Sequence, residues 1–134
     1  MLAEEVTGMA EDFNISNQQF FRESVNAELA HIRQLGDNES LAFAASNLSA
    51  YEALLITILS GENGIPVYQA VANIRTPFSG PAGVVNRLKA MRKLGLLEEK
   101  PGTKKSQVCL VPSEQLLQDL QSILSVRYGG GFPK

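Results

Sequence analysis

With 134 residues, 44% of them hydrophobic and 19% charged, the chain has the mix of a globular domain large enough to bury a core, which excludes a disordered polymer. A single cysteine, Cys109, and a single histidine, His31, exclude a disulfide framework or a Cys/His zinc site within one chain, so neither a metal nor a cofactor is expected. The longest apolar run, 53–59, is interrupted by Thr57 and falls far short of the roughly eighteen residues that span a bilayer, and residues 1–5 lack the basic and apolar parts of a signal peptide, so a cytoplasmic protein without membrane contact is expected.

The net charge of −2 conceals a split. Up to Glu62 there are ten acids and two bases, and beyond it four acids and ten bases. Eight of those ten bases lie between Arg75 and Lys105. A local cluster of this kind attracts a polyanion even when the whole chain is acidic.

Residues 1–15 are expected to be a flexible N-terminus and 16–127 a single domain. The first helix is predicted over 16–35, with Ser16-Asn17-Gln18-Gln19 as a capping box and Phe21, Val25, Leu29, Ile32 and Leu35 in one stripe. Gly36 and Asp37 end it. A short helical piece is expected around 41–45. A second capping box, Ser49-Ala50-Tyr51-Glu52, then precedes a strongly apolar and therefore buried helix. Gly61-Glu62-Asn63-Gly64 supplies a turn, and Ile65-Pro66 a very short strand. A third helix over 67–74, with Val67, Val71 and Ile74 on one side, stops before Pro77.

The following helix takes Ser79 as N-cap, tolerates Pro81 in its first turn and closes at Gly95. Val84, Leu88 and Met91 face the core, with Val85 and Leu94 at the margins. Ser79, Ala82, Asn86, Lys89 and Lys93 form the opposite face, flanked by Arg87 and Arg92. Residues 96–100 read as a strand, Pro101-Gly102 as a turn and 105–111 as the returning strand, a hairpin tipped with Lys100, Lys104 and Lys105. A last helix over 113–127 carries Leu116, Leu120, Ile123 and Leu124, with Leu117 beside them. Residues 128–134 are expected to be a flexible tail.

Three helices followed by a basic hairpin is the order of a winged helix-turn-helix, placed at about 49–111. The segment from Val84 through Arg87, Leu88, Met91, Gly95, Leu96 and Leu97 to Lys100 resembles the recognition-helix-into-wing segment of MarR-type bacterial regulators, with the pattern apolar-x-x-apolar-x-x-x-Gly-Leu-apolar. The similarity covers about 16–126 and is to a divergent member. Where MarR-type wings carry Asp-x-Arg, this chain has Pro101-Gly102-Thr103-Lys104-Lys105-Ser106, and the turn Arg75-Thr76-Pro77-Phe78-Ser79-Gly80-Pro81 is unusually rich in proline and glycine. The resemblance implies a mainly α fold with a small β-hairpin, a winged helix-turn-helix flanked by N- and C-terminal dimerisation helices. It further implies a homodimeric transcriptional regulator, with Phe20, Phe21, Val25, Leu29, Ile32, Leu116, Leu120, Ile123 and Leu124 as a shared core and interface layer. It also implies an unidentified small-molecule effector between the flanking helices and the winged unit.

Physical chemistry points the same way. A helix fits the major groove of B-DNA, where base edges are distinguishable and the flanking phosphates reward cations and helix N-terminal amides. Asn86 and Lys89 are the expected base-edge readers. Ser79 and the amides of Gly80, Ala82 and Gly83 belong near phosphate. Arg87, Arg92 and Lys93 suit phosphate or base, and Lys100, Lys104 and Lys105 suit the wing's contact with double-stranded DNA. The alternative is a winged-helix module that holds an acidic protein without DNA, its cations a solvated face and its lysine-tipped hairpin protection against edge pairing. No catalytic constellation appears, so no enzyme is expected. Cys109 reads as a packing residue on a strand rather than a redox sensor, and His31 as a surface or partner-facing residue.

Overall fold

The computed structural model describes residues 15–104 and 107–128; the expectations for 1–14, for Lys105 and for the glycines of 129–131 lie outside the described residues. Among the described residues, six α-helices and a three-stranded antiparallel sheet follow in the order α1 (Ile15–Asp37), α2 (Glu39–Ala45), α3 (Leu48–Leu59), a 3-10 turn (Gly61–Asn63), β1 (Ile65–Pro66), α4 (Val67–Ala72), α5 (Pro81–Lys93), β2 (Leu97–Pro101), β3 (Val108–Pro112) and α6 (Glu114–Arg127). Among the described residues, no single helix is long and apolar enough to cross a membrane.

Polar side chains at the helix starts fix where the chain turns. Asn38 caps α2 by accepting from Leu41 N at 3.0 Å, and its amide donates to Asp119 Oδ2 at 3.1 Å, which ties the start of α2 to α6. Asn47 caps α3 through Ala50 N, and Ser113 caps α6 through Leu116 N. Each such cap satisfies an amide that the helix itself cannot. Two expected caps are corrected. Helix α1 is already formed at Ile15, so Ser16 stands inside it, and Ser49 lies in the first turn of α3, behind the true cap Asn47.

The core forms where α2, α3, α5, β2 and α6 converge. Leu41, Leu54, Val84, Leu88, Met91, Leu97 and Leu116 are essentially inaccessible there. Burial of each such side chain contributes about 1.5–3 kcal/mol relative to exposure. The inward stripe Val84, Leu88 and Met91 is as the helical period predicts. Thr57, also fully buried, donates its hydroxyl to Ala53 O at 2.9 Å, so no unpaired donor enters the core.

The sheet order is β1-β3-β2. Ile65 lies opposite Leu110, and Leu97 opposite Pro112. Gly64 makes the approach of β1 possible. Its φ is +74°, and a Cβ there would stand 2.7 Å from Leu110 O and 2.8 Å from Val111 Cγ1. The wing is longer than the sequence suggests. Pro101 pairs with Val108 instead of turning, and the loop is closed at its base by Gly102 N to Gln107 O at 2.8 Å and by Thr103 N to Gln107 Oε1 at 3.2 Å. The return strand therefore starts at Val108. Helix α4 also stops earlier than expected, at Ala72.

Helices α3, α4 and α5 followed by this wing form a winged helix-turn-helix. Helices α1 and α6 flank it and pack on each other.

Candidate nucleic-acid interface

Helix α5 joins the wing through a Schellman turn. Leu96 N donates to Met91 O and Gly95 N to Arg92 O, both at 3.0 Å, with Gly95 at φ +83°. This geometry satisfies the final carbonyls and needs glycine at the left-handed position. It also directs Leu96 and Leu97 into the core, so the cationic end of α5 and the wing are held in fixed relation.

The start of α5 departs from expectation. Gly80, not Ser79, occupies the N-cap, no side chain caps the helix, and Pro81 holds the first position. Ser79 instead lies over the first turn, where a Cβ at Gly83 would collide with its Oγ. With Pro81 lacking an N–H, the Ala82 and Gly83 amides carry the positive end of the helix dipole without a side-chain acceptor.

Along α5, Ala82, Asn86, Lys89, Arg92 and Lys93 are exposed, and Lys104 is exposed on the wing. The three arginine and lysine side chains that flank this face have internal partners. Arg87 Nη1 donates to Ser46 Oγ at 3.0 Å, with its guanidinium 5.7 Å from the centroid of the Phe43 ring, which turns it toward α2. Arg92 Nε pairs with Glu99 Oε1 at 3.0 Å. Lys100 Nζ donates to Glu62 O at 2.8 Å, against the 3-10 turn. Among the described residues of this surface, Asn86, Lys89, Lys93 and Lys104 have no such tether. A concavity of about 750 Å³ separates α4 and the start of α5 from the wing, lined by Tyr68, Val71, Pro81, Val85, Lys104 and Gln107. Tyr68 and Gln107 were not singled out in the sequence. Their place on this surface depends on the wing folding back beside α4, for which neither residue carries a local signal.

The flanking helices divide the expected interface layer in two. Leu116, Leu120 and Ile123 are buried within the chain, and Leu124 packs against the same core. Phe20, Phe21, Val25, Leu29 and Ile32 are 40–71% exposed along α1. Arg127 bridges α6 to α1 through Glu28, with Nη1 to Oε2 at 2.9 Å.

His31 is a correction. It is 5% exposed rather than on the surface, and among the described residues its Nδ1 has no hydrogen-bond partner. Burial, reinforced by Arg127 and opposed by Glu28, holds its pKa below the ordinary 6.5. His31, Leu35, Ala42, Ser46, Tyr51 and Arg127 line a cleft of about 540 Å³ between α1, α2, α3 and α6. Burial also raises the Tyr51 phenol pKa, against an opposing effect of Arg127. Cys109 is buried in β3 next to the equally buried Leu110, as a packing residue.

No family model matches the sequence, and no curated protein matches it. Among solved structures, the chain is similar to an organohalide-sensing transcriptional regulator in its ligand-free form, at 17% identity and a TM-score of 0.48, over 90% of this chain and 67% of that one. It is also similar to a MarR-like transcription regulator from Bacillus cereus ATCC 10987, at 8% identity and a TM-score of 0.48, over 90% of this chain and 87% of that one. The winged-helix fold follows from the chain's own topology, independently of these likenesses.

Proposed function

We propose that the chain is a sequence-specific regulator that binds double-stranded DNA through α5 and the wing, acting as a homodimer on a pseudo-palindromic operator in the cytoplasm. The observation that carries this reading is the face made by Ala82, Asn86, Lys89 and Lys93 with Lys104 on the neighbouring wing, untethered cations in a chain whose first half is strongly acidic. Small residues at the start of the helix allow close approach, the uncapped amides of Ala82 and Gly83 suit a phosphate, and Asn86 and Lys89 suit base edges. Lys93 suits phosphate. Arg87, Arg92 and Lys100 serve to hold the surface in shape, and Arg92 reaches phosphate only when it leaves Glu99.

The exposed apolar stripe of α1 suits a second copy of the chain, because two-fold pairing covers the same face on both partners. Two recognition helices then meet successive major grooves, roughly 34 Å apart. A small effector would occupy the cleft at His31 and Arg127, whose walls come from both the flanking helices and the winged unit. A gel shift with random duplex DNA at low salt, repeated as salt rises, tests the DNA reading. Binding that weakens steeply with salt supports it.

One observation favours a second reading, a winged-helix module that holds a protein partner. The concavity between α5 and the wing is walled mostly by apolar side chains, with Tyr68 and Val108 exposed beside it. Absence of any shift at low salt would favour that alternative.

A further inference from the structure

The turn that delivers the recognition helix makes almost no use of its own backbone. From Arg75 to Phe78 every backbone N–H is taken by a side chain of α3, Pro77 having none to offer. The Glu52 carboxylate accepts from Arg75 N at 3.1 Å, from Thr76 N at 3.0 Å and from Thr76 Oγ1 at 2.7 Å. Ser49 Oγ accepts from Phe78 N at 2.9 Å, and its single proton goes to Thr76, whose carbonyl oxygen lies 3.0 Å away and whose hydroxyl lies 2.9 Å away. Ser49 is fully buried, so the network is anchored in the interior at that end, while Glu52 and Thr76 are only partly covered and Arg75 and Phe78 are exposed. The hydrogen bonds from Thr76 and Arg75 hold the Glu52 carboxyl below its ordinary pKa, which keeps it an acceptor.

The clamp ends two residues before Gly80, the N-cap of α5. That helix has no side-chain cap of its own. Its starting position is thus set from α3.

We infer that Ser49, Glu52 and Thr76 are positioning residues for sequence discrimination, holding the first turn of α5 at the place where Asn86 and Lys89 meet base edges. The inference rests on the DNA reading above. Base-edge hydrogen bonds fail with small displacements of the helix, whereas lysines on long flexible stems still reach phosphate. Loosening the clamp therefore removes discrimination while leaving the charge-driven part of binding in place. None of the three residues touches DNA in this arrangement.

The test uses the full chain and the duplex that it enriches most strongly from a random pool, compared with a shuffled duplex of the same composition. Thr76→Val keeps the shape of the side chain and removes its hydroxyl, Thr76→Ser restores the hydroxyl, and Glu52→Gln removes the charge. Thermal melts establish that each variant is folded at the assay temperature. Thr76→Val and Glu52→Gln are expected to lower the ratio of selected to shuffled affinity by roughly tenfold, the scale of one lost base contact, with an unchanged salt slope. Thr76→Ser is expected to restore the ratio. A merely destabilised fold lowers both affinities together and leaves the ratio intact. A ratio unchanged in Thr76→Val, or a salt slope that falls with it, overturns the inference. A wild-type chain that prefers no duplex overturns the DNA reading itself.

Discussion

Arg92 Nε lies 3.0 Å from Glu99 Oε1, an ion pair that ties the last turn of α5 to the first strand of the wing. Both side chains are about half exposed, so the pair adds little to stability. Its effect is to hold a guanidinium away from solution. Glu99→Gln is expected to release Arg92, strengthen binding to all duplexes and steepen the dependence of log K on log salt by up to about 0.9, the value of one added phosphate contact. Fluorescence anisotropy across a salt series measures it. An unchanged slope would show that Arg92 reaches no phosphate.

The wing loop between Gly102 and Gln107 presents Lys104. Replacing Lys104 and Lys105 together with alanine is expected to weaken binding to specific and random duplexes alike, and to reduce the salt slope by roughly 2. A slope equal to that of the unmodified chain would refute a phosphate role for the wing.

Val25 and Ile32 are 49% and 56% exposed on α1. Glutamate at either position disturbs no internal core, so each variant should still unfold cooperatively, with its thermal midpoint lowered only by the stabilisation that pairing gave the parent. It should also convert a dimer to a monomer in sedimentation velocity at micromolar concentration, because an unpaired carboxylate in a two-fold apolar seam is repeated across the axis. A wild-type monomer at that concentration would remove the dimer from the account.

His31 has a folded-state pKa below its ordinary value of 6.5. Protons therefore bind the unfolded chain first as pH falls. The stability that His31 contributes is complete above 6.5 and declines as pH drops toward the depressed folded value. The thermal midpoint of the wild type should fall between pH 7 and 5.5 by more than that of His31→Leu. Parallel declines in the two proteins would contradict the burial of a neutral imidazole.

Gly64 combines a φ of +74° with a ψ of −175°, a region reserved almost entirely for glycine. Gly64→Ala also drives a Cβ into Leu110 O and Val111. A loss of about 2 kcal/mol or more in chemical denaturation is expected, since strain alone accounts for roughly 1–3 kcal/mol. A loss under about 0.5 kcal/mol would mean that β1 can leave the sheet freely.

Local chemistry carried much of the fold in the sequence. Gly95-Leu96-Leu97 specified both the end of α5 and its return into the core, because a Schellman turn needs residues only within six positions. The inward stripe of α5 was equally local. Ser49 and Glu52 were misread for a physical reason: Ser-x-x-Glu has the same spacing at a helix cap as inside the first turn, and only the distant Thr76 and Phe78 decide which applies. Asn47, with Ala50 three residues on, was the available signal for the true cap. Arg87 similarly counts as a free cation until Phe43 and Ser46 are brought beside it. His31 lay next to the apolar stripe of α1, and only the packing of α6 shows that the face carrying Leu35 and His31 is the one covered. Phe20 and Ile32 on the same helix are mostly exposed. Charge density along residues 75–105 points to α5 and the wing as the candidate surface but cannot separate tethered from untethered cations.

Selection of bound duplexes from a random pool by the full chain, with affinity followed against salt, tests the central claim most directly. An enriched palindrome is expected, with half-sites centred about one helical turn apart and a steep salt dependence that Lys93→Ala reduces, while Lys89→Ala lowers the preference for the palindrome over random duplex. Failure to enrich any sequence, with no binding to duplex DNA at low salt, would contradict it.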